Sequence, residues 1–183
     1  MQVQVTLTPA ESKRLIAKAV VKLPEVKRAL KSGIIVVGLG STNAHVVEEL
    51  TGKTIERNRY VAGVILPVGT CVLPRDRRLS SLILVRGKPT EKPLSEILEK
   101  LGPRDVVIKG ANALDAEGNA GVLLASRSGG TVGRILGYVK ARGVNLIIPV
   151  GLEKFVPGSL KEVSKLAGIF KMSDATGCPV GLA

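Results

Sequence analysis

Short aliphatic runs alternate with segments of helical spacing over most of this 183-residue chain. Three of these runs, at 34–37, 106–109 and 144–149, each lead into a turn rich in glycine and in small or charged residues. Strands buried on both faces of a parallel sheet read as continuous Val, Ile and Leu runs, and helices between them cover the sheet. The pattern therefore predicts an α/β fold, a Rossmann-like three-layer sandwich around a mainly parallel sheet.

The N-terminal part of the chain is predicted to be helical. Thr8-Pro9-Ala10-Glu11 forms a capping-box sequence, apolar residues follow at helical spacing, and Pro24 separates a second short helix that ends near Lys31. We expect residues 1–33 to pack as a helical segment on a single α/β domain spanning 1–183. Further helices are predicted at 43–50, 94–101, 131–142 and 159–166, and further strands at 60–66, 70–73, 81–87 and 121–125.

The net charge of +12 limits the class of partner. A cationic surface attracts anions, which suits phosphorylated small ligands or nucleic acid. The basic residues are dispersed along the chain, and it contains only two Tyr, two Phe and no Trp. Because binding of single-stranded nucleic acid combines basic grooves with stacking aromatic side chains, nucleic acid is the less favoured partner.

Cysteine and histidine usage argues against a metal site. Cys71 and Cys178 are the only cysteines and His45 is the only histidine, so no metal-ligand spacing occurs. We expect no metal, no cofactor, two buried reduced thiols, and a His45 that packs or caps. No apolar run reaches the roughly 20 residues that span a bilayer, and the N-terminus lacks a secretory pattern. A cytoplasmic protein with no membrane partner is expected.

The turn after the first aliphatic run is the first candidate for ligand binding. Gly38 and Gly40 permit a tight strand-to-helix turn, and the small polar residues after them occupy the first turn of the predicted helix. Helix N-termini accept phosphate or carboxylate, although a plain Gly-rich turn with a Ser or Thr cap gives the same pattern. The turn matches neither a dinucleotide-binding nor a Walker sequence. The candidate ligand-binding residues are Gly38, Gly40, Ser41, Thr42 and Asn43, and Gly40→Val is expected to abolish binding in a folded chain.

The stretch 105–133 supplies the second set of candidates. Lys109 can neutralise an anion, and Asp115 can bind a ligand hydroxyl or act as a base. A β-turn rich in Asn, Asp and Gly accounts for the same residues without any ligand. A second glycine turn before a helix offers another anion cradle. The ligand-binding candidates here are Lys109, Gly110, Asn112, Gly129, Gly130 and Thr131.

The stretch 147–159 begins at the end of the third aliphatic run. It contains a predicted turn at Pro149 and Gly151, which is followed by Glu153 and Lys154. These two neighbouring residues either belong to a solvated turn without a function or transfer protons in a reaction. Together with Asp115, these two residues are the candidate catalytic residues. Because ligands bind beyond the C-terminal ends of strands in open parallel sheets, the three strand ends predict a shared pocket.

Several motifs resemble a known superfamily. "VVGLGSTNAHVVEEL" resembles the phosphate-binding segment of ribose-5-phosphate isomerase A, and "VVIKGANALDAEGN" resembles its Asp-Gly-Ala-Asp-Glu-x-Asp active-site segment. "GANALDAEGN" followed by "GGTVGRILGYVKARGVNLIIPV" is similar to the translation initiation factor 2B and methylthioribose-1-phosphate isomerase group. The same superfamily includes glucosamine-6-phosphate deaminase and the CoA transferases. The resemblance covers 34–157 and implies a shared α/β fold, a phosphorylated ligand and a homo-oligomer.

The chain departs from the isomerase pattern at its acids. The first two Asp residues of the active-site segment fall on Lys109 and Asn112, the Glu falls on Ala113, and Asp115 alone is retained. Enolisation needs a carboxylate that moves a proton between neighbouring carbons, so the resemblance does not extend to ribose-5-phosphate isomerase activity. The nucleophilic Glu of CoA transferases has Glu117 and Glu153 as candidates by proximity alone.

The sequence therefore predicts binding of a phosphorylated metabolite (a sugar phosphate, a nucleotide or a CoA-like compound) and leaves open whether the chain is an enzyme. The alternative is a non-catalytic regulatory or assembly protein of the initiation factor 2B type.

Overall fold

In a computed structural model, which describes residues 1–183, the three aliphatic runs form adjacent strands of one five-stranded sheet. The strands of the protein are β1 (Ile34–Val37), β2 (Gly63–Leu66), β3 (Gly69–Val72), β4 (Leu82–Val85), β5 (Lys88–Pro89), β6 (Val106–Ile108), β7 (Ala113–Leu114), β8 (Ala120–Gly121), β9 (Leu123–Leu124), β10 (Asn145–Ile147) and β11 (Gly181–Leu182). The helices are α1 (Pro9–Val20), α2 (Pro24–Ser32), α3 (Ser41–Thr51), α4 (Leu94–Leu98), α5 (Gly130–Arg142) and α6 (Leu160–Leu166).

The main sheet has the order β10-β6-β1-β4-β5 and is mixed. Its core strands β1, β6 and β10 run parallel, whereas β4 and β5 are antiparallel to their neighbours. The α/β prediction is confirmed, and the parallel part of the sheet is limited to three strands. The β4–β5 connection accounts for the opposite directions of these two strands, because Arg86 and Gly87 both have positive φ (49° and 74°). Two such residues in succession form the tight turn of a two-residue hairpin.

Apolar side chains pack on both faces of the sheet. On one face Ile35, Val37, Val106 and Ile108 form one apolar cluster with residues of the N-terminal helices and of α3, including Ala17, Val26 and Ala44. On the other face Val36 and Val107 contact Ile97 of α4 and Ile135 and Val139 of α5. The strands therefore bury both faces, as their continuous aliphatic sequences predict.

The N-terminal helices begin where the sequence predicts. The Thr8 side chain accepts a hydrogen bond from the Glu11 N–H, the Glu11 carboxylate accepts one from the Thr8 N–H, and α1 starts at Pro9. Pro24 opens α2. Ala17 and Val20 of α1, with Val26 and Ala29 of α2, are buried in the same cluster as β1. The segment 1–33 therefore packs on the sheet through two short helices.

The remaining strands lie outside the main sheet. The predicted strands near 63 and 70 form the separate hairpin β2–β3. The predicted strand at 121–125 is divided, because Gly121 pairs within the β7–β8 hairpin and Leu123 and Leu124 pair with β11. None of the helices has the length and apolar character needed to cross a bilayer.

Candidate functional site

The parallel strands β1, β6 and β10 end at one edge of the sheet. Val37 lies beside Ile108, and Ile108 lies beside Ile147. The Gly38 N–H donates to the Ile108 carbonyl oxygen (2.9 Å), and the Lys109 N–H donates to the Ile147 carbonyl oxygen (3.0 Å). The residues that follow the strands are therefore held side by side at the edge where ligands bind in α/β sheets.

Asn43 of α3 joins these strand ends. Its Nδ2 donates to the carbonyl oxygens of Gly38 (2.8 Å) and Ile108 (3.2 Å), and the residue is 0% exposed. Its Oδ1 has no hydrogen-bond partner. A methyl group on Gly110 would lie 3.9 Å from this Oδ1 and 3.8 Å from the Pro149 carbonyl oxygen. An unpaired acceptor therefore lies where all three strand ends meet.

The first turn of α3 adds donors to this edge. The helix begins at Ser41, no side chain caps it, and the first N–H groups of a helix have no acceptor within the helix. The Thr42 hydroxyl is also unpaired although Thr42 is 2% exposed. Because helix N-termini carry partial positive charge, the turn is suited to an anion, with Thr42 as an additional donor.

Lys109 brings a cation to the same place. Its stem packs on Gly38, since a methyl group there would lie 3.0 Å from Lys109 Cδ. Its Nζ donates to the Gly110 carbonyl oxygen (3.1 Å) and forms no salt bridge. Burial and, secondly, repulsion from Lys154 lower the pKa of Lys109 to about 8. This ammonium group is thus poorly solvated and lacks a carboxylate partner.

Lys154 and Lys13 add two further positive charges near Lys109 and Lys154, respectively. Lys154 lies in a short 3-10 helix, Leu152–Lys154, after β10, and its Nζ donates to the Ala111 carbonyl oxygen. Burial lowers the pKa of Lys154, and repulsion from Lys13 of α1 lowers it further. Neither lysine forms a salt bridge with a carboxylate. We call Gly38, Thr42, Asn43, Lys109 and Lys154 the strand-end site.

Glu153 lies beside Lys154 and is exposed. Its carboxylate folds back over Gly151, where a methyl group would lie 1.8 Å from Oε2. The attraction of Glu153 opposes the other causes that lower the pKa of Lys154. Of the three predicted catalytic residues, the structure therefore brings Glu153 and Lys154 together.

Asp115 lies apart, between the β7–β8 hairpin and α6. Its carboxylate accepts from the N–H groups of Glu117 (3.1 Å), Asn119 (2.8 Å) and Leu160 (3.0 Å), and from Asn119 Nδ2 (2.9 Å). Hydrogen bonding, led by the Asn119 side chain, lowers the pKa of Asp115. All these contacts hold the hairpin and the start of α6, so they do not join Asp115 to the strand-end site.

The other predicted ligand-binding residues also have local contacts. Asn112 Oδ1 accepts from the Leu123 N–H (3.0 Å). Gly129 and Gly130 have positive φ (71° and 60°) at the start of α5, and Thr131 follows them in the helix. No hydrogen bond joins these four residues to the strand-end site. The second predicted anion cradle is therefore a separate helix N-terminus.

The backbone of Gly40 does not itself require glycine, and the loss of binding expected for Gly40→Val stays a prediction about the ligand. The Gly40 φ of 165° is extended, a conformation that any residue adopts, and a methyl group there would have its nearest neighbour 3.9 Å away, in Asn43. Gly38 is the glycine of this turn that makes the close approach, to Lys109. Within the protein itself, the close packing that favours glycine in this turn is therefore at position 38.

Sequence reasoning missed Tyr60 and Lys13. The buried Tyr60 hydroxyl donates to the Val37 carbonyl oxygen (2.7 Å) and accepts from the Leu82 N–H (2.9 Å), and the Tyr60 carbonyl oxygen accepts from the Gly40 N–H (2.9 Å). Tyr60 thus fixes the turn, and its position before β2 gives no sign of this role. Lys13 is one of many dispersed lysines, and only the packing of α1 brings it to the site.

His45 is buried in α3, and its Nδ1 lies 3.4 Å from an Arg57 side-chain nitrogen. Burial and the neighbouring arginines lower the pKa of His45. Glu48 pairs with Arg14 and Arg57, so carboxylates balance the charge along this part of α3. His45 therefore packs, as expected.

Cys71 and Cys178 are free and partly buried, so these two thiols are less enclosed than predicted.

Two surface depressions lie elsewhere. One, of about 300 Å³, is lined by Lys27, Arg28, Lys31 and Ser32 of α2. The other, of about 180 Å³, is lined by Leu124, Ser126, Arg127, Gly129, Ile169, Phe170 and Gly181. No buried side-chain nitrogen or oxygen without a hydrogen bond belongs to their lining residues, in contrast to the strand-end site.

The fold and the site define an α/β protein with lysines unpaired by carboxylates at the C-terminal edge of three parallel strands. Comparisons with protein-family models, with curated proteins and with solved structures found no match to this chain.

Proposed function

We propose that this protein binds a phosphorylated small metabolite (a sugar phosphate, a nucleotide or a CoA-like compound) at the strand-end site. The observation that carries the proposal is that Lys109 and Lys154, which follow β6 and β10, form no salt bridge with a carboxylate, and that α3 starts uncapped at the same sheet edge, where the buried Thr42 hydroxyl is unpaired. Buried cations and buried hydroxyl groups cost free energy unless they are paired. A bound phosphate would accept a hydrogen bond from the Thr42 hydroxyl and would compensate the positive charge of the two lysines.

The unpaired Oδ1 of Asn43 adds a requirement on the rest of the ligand. Both donor contacts of Nδ2 are to carbonyl oxygens, so the orientation of the side-chain amide is fixed and Oδ1 is an acceptor. An acceptor pairs with a donor such as a sugar hydroxyl. A ligand that carries both a phosphate and a hydroxyl group therefore suits the site better than inorganic phosphate.

The proposal includes the arrangement that holds the site. Helices α1–α3 on one face and α4 and α5 on the other are consistent with a Rossmann-like three-layer sandwich, the fold in which strand ends bind phosphate. A homo-oligomer, which the resemblance implies, and a cytoplasmic location belong to the same proposal.

Calorimetric titration of inorganic phosphate, ribose 5-phosphate, AMP and coenzyme A into the protein tests this function. We expect at least one organic phosphate to bind, with an affinity at least tenfold lower in Lys109→Met. Lys140→Met, which removes an exposed lysine from α5, is the matched control and should bind as the unmodified chain does. No binding of any of the four compounds to the folded protein would overturn the proposal.

A second candidate is a non-catalytic regulatory or assembly protein. Asp115 is the one acid retained from the isomerase pattern, and its carboxylate accepts hydrogen bonds from the β7–β8 hairpin and from α6. Because this carboxylate is held away from the strand-end site, the contacts favour ligand binding without enolisation. Binding of a phosphorylated compound that is recovered unchanged after prolonged incubation would support this candidate.

A further inference from the structure

Lys109 has three features of a lysine that reacts as an amine. Its stem is held by packing on Gly38, its Nζ is fixed by one hydrogen bond to the Gly110 carbonyl oxygen, and it has no carboxylate partner that would keep it protonated. The exposed lysines 92, 100, 161 and 165 are all paired with glutamates. Lys109 therefore differs from these four lysines in being partly buried and in having no carboxylate partner.

The surroundings of Lys109 favour the neutral amine. The pKa of Lys109 is lowered to about 8 by burial and by the nearby cation Lys154. Desolvation and a neighbouring cation are the means by which lysines become nucleophiles that form imines with carbonyl compounds. An appreciable fraction of the Lys109 side chain is thus neutral near physiological pH, whereas an exposed lysine is almost fully protonated.

We infer that Lys109 forms an imine with the carbonyl carbon of a phosphorylated aldehyde or ketone whose phosphate lies at the start of α3. This inference rests on the proposed function and names the class of its ligand. The Nζ lone pair attacks the carbonyl carbon to give a carbinolamine. The C–O bond then breaks, the two hydrogens of the amine leave with the oxygen as water, and a C=N bond remains. No oxidant, reductant or metal is needed.

The other residues of the strand-end site have defined parts in this step. The N–H groups of the first turn of α3 and the Thr42 hydroxyl hold the phosphate. Lys154 keeps its Nζ on the Ala111 carbonyl oxygen and acts on Lys109 through its charge. Asn43 Oδ1 accepts a hydrogen bond from the carbinolamine hydroxyl or from a neighbouring hydroxyl of the ligand. Lys154 is therefore a positioning residue, whereas Asn43 contacts the ligand directly.

Reductive trapping tests the inference. The protein is incubated with glyceraldehyde 3-phosphate, reduced with borohydride, digested, and analysed by mass spectrometry for the modified fraction of each lysine. We expect Lys109 to be modified at least tenfold faster than Lys140, and inorganic phosphate to suppress that modification. Glyceraldehyde without the phosphate should label Lys109 at least tenfold more slowly. Selective labelling that phosphate does not reduce would overturn the assignment to a phosphorylated ligand.

Lys109→Arg separates the inference from the proposed function. Arginine retains the positive charge but forms no imine, so this variant should still bind organic phosphates in calorimetry and should give no selective adduct. If the unmodified protein binds organic phosphates but Lys109 is labelled no faster than Lys140, the inference fails and the proposed function stands. If no phosphate binds and no selective adduct forms, both fail. Lys154→Met should slow the labelling of Lys109 at pH 7 and leave its rate at pH 10 nearly unchanged.

Discussion

The side chain of Lys109 runs across Gly38 so closely that a methyl group on Gly38 would lie 3.0 Å from Lys109 Cδ. Gly38 continues β1 and Lys109 continues β6, so this contact joins two strand ends. The glycine leaves room for the lysine stem, and the stem in turn directs Nζ to the Gly110 carbonyl oxygen. The position of the ammonium group therefore depends on the absence of a side chain at position 38.

Gly38→Ala should weaken binding of an organic phosphate by about tenfold, because displacing Lys109 removes one charge-assisted contact worth about 1.5 kcal/mol or more. Overpacking typically lowers the free energy of unfolding by about 1 to 3 kcal/mol, and because the lysine stem is flexible we expect a loss near 1 kcal/mol. Calorimetry and urea unfolding measure the two effects. Gly158→Ala is the matched control, since a methyl group there has no neighbour within 4 Å and Gly158 lies outside the strand-end site. Equal loss of binding in both variants would contradict the role assigned to Gly38.

Asn43→Asp should destabilise the fold by about 3 kcal/mol or more, because it replaces two buried hydrogen-bond donors with a carboxylate facing two carbonyl oxygens. Urea unfolding followed by circular dichroism measures the loss. The exposed Asn58, changed to Asp, is the matched control and should alter stability by less than about 0.5 kcal/mol. A fully stable Asn43→Asp protein would mean that Asn43 does not join the strand ends.

The location of the candidate site follows from sequence, whereas its internal contacts do not. Aliphatic runs followed by glycine indicate buried parallel strands, and that pattern places the turns after Val37, Ile108 and Ile147 at one edge. The partners of side chains within a turn depend on packing between distant elements. Asp115 and Lys109 stand six residues apart in similar turn sequences, yet Asp115 holds a hairpin and α6, while Lys109 packs on β1.

In the sheet, too, some features follow from the sequence and others do not. Runs of Val, Ile and Leu predict buried strands in either direction, so the sequence of β4 could not reveal that it lies antiparallel to β1. The turn that follows, Arg86-Gly87, sets β5 antiparallel to β4, but it is not one of the common hairpin dipeptides and so does not indicate a hairpin in the sequence. The capping box at Thr8 and Glu11 was predictable because all of its partners lie within three residues.

Asp115→Asn should reduce stability at neutral pH and flatten its acid dependence. Hydrogen bonds lower the pKa of Asp115 from 3.8, so the unfolded chain takes up a proton more readily than the folded chain as the pH falls. The contribution of Asp115 is therefore complete above about pH 4 and is lost as the pH falls through the lowered pKa. Unfolding midpoints between pH 2 and pH 7 measure it. Asp76→Asn, at an exposed position with no side-chain hydrogen bond, should leave the pH profile unchanged.

Lys109→Met should stabilise the free protein at pH 7, in contrast to its effect on binding. The pKa of Lys109 is lowered from 10.5 to about 8, so between these values the unfolded chain binds more protons and stability rises with pH. Below pH 8 the folded chain carries the full cost of the poorly solvated charge, which the shift places on the order of 3 kcal/mol. Methionine removes that cost, so the variant should be about 1 to 3 kcal/mol more stable at pH 7 and nearly equal to the unmodified chain above pH 10.

Urea unfolding at several pH values between 7 and 10.5 measures this difference, and taking it against the unmodified chain cancels the titration of all other groups. Lys140→Met should show no pH-dependent difference, because Lys140 is exposed in α5. A stability gain of the same size at pH 7 and pH 10.5 would have another origin, such as better apolar packing of the methionine. A gain confined to the lower pH values means that the free protein retains a cation at the strand-end site at a cost in stability. A protein commonly retains a destabilising residue when its function needs that residue, so this loss of stability at Lys109 is expected if Lys109 serves to bind an anion.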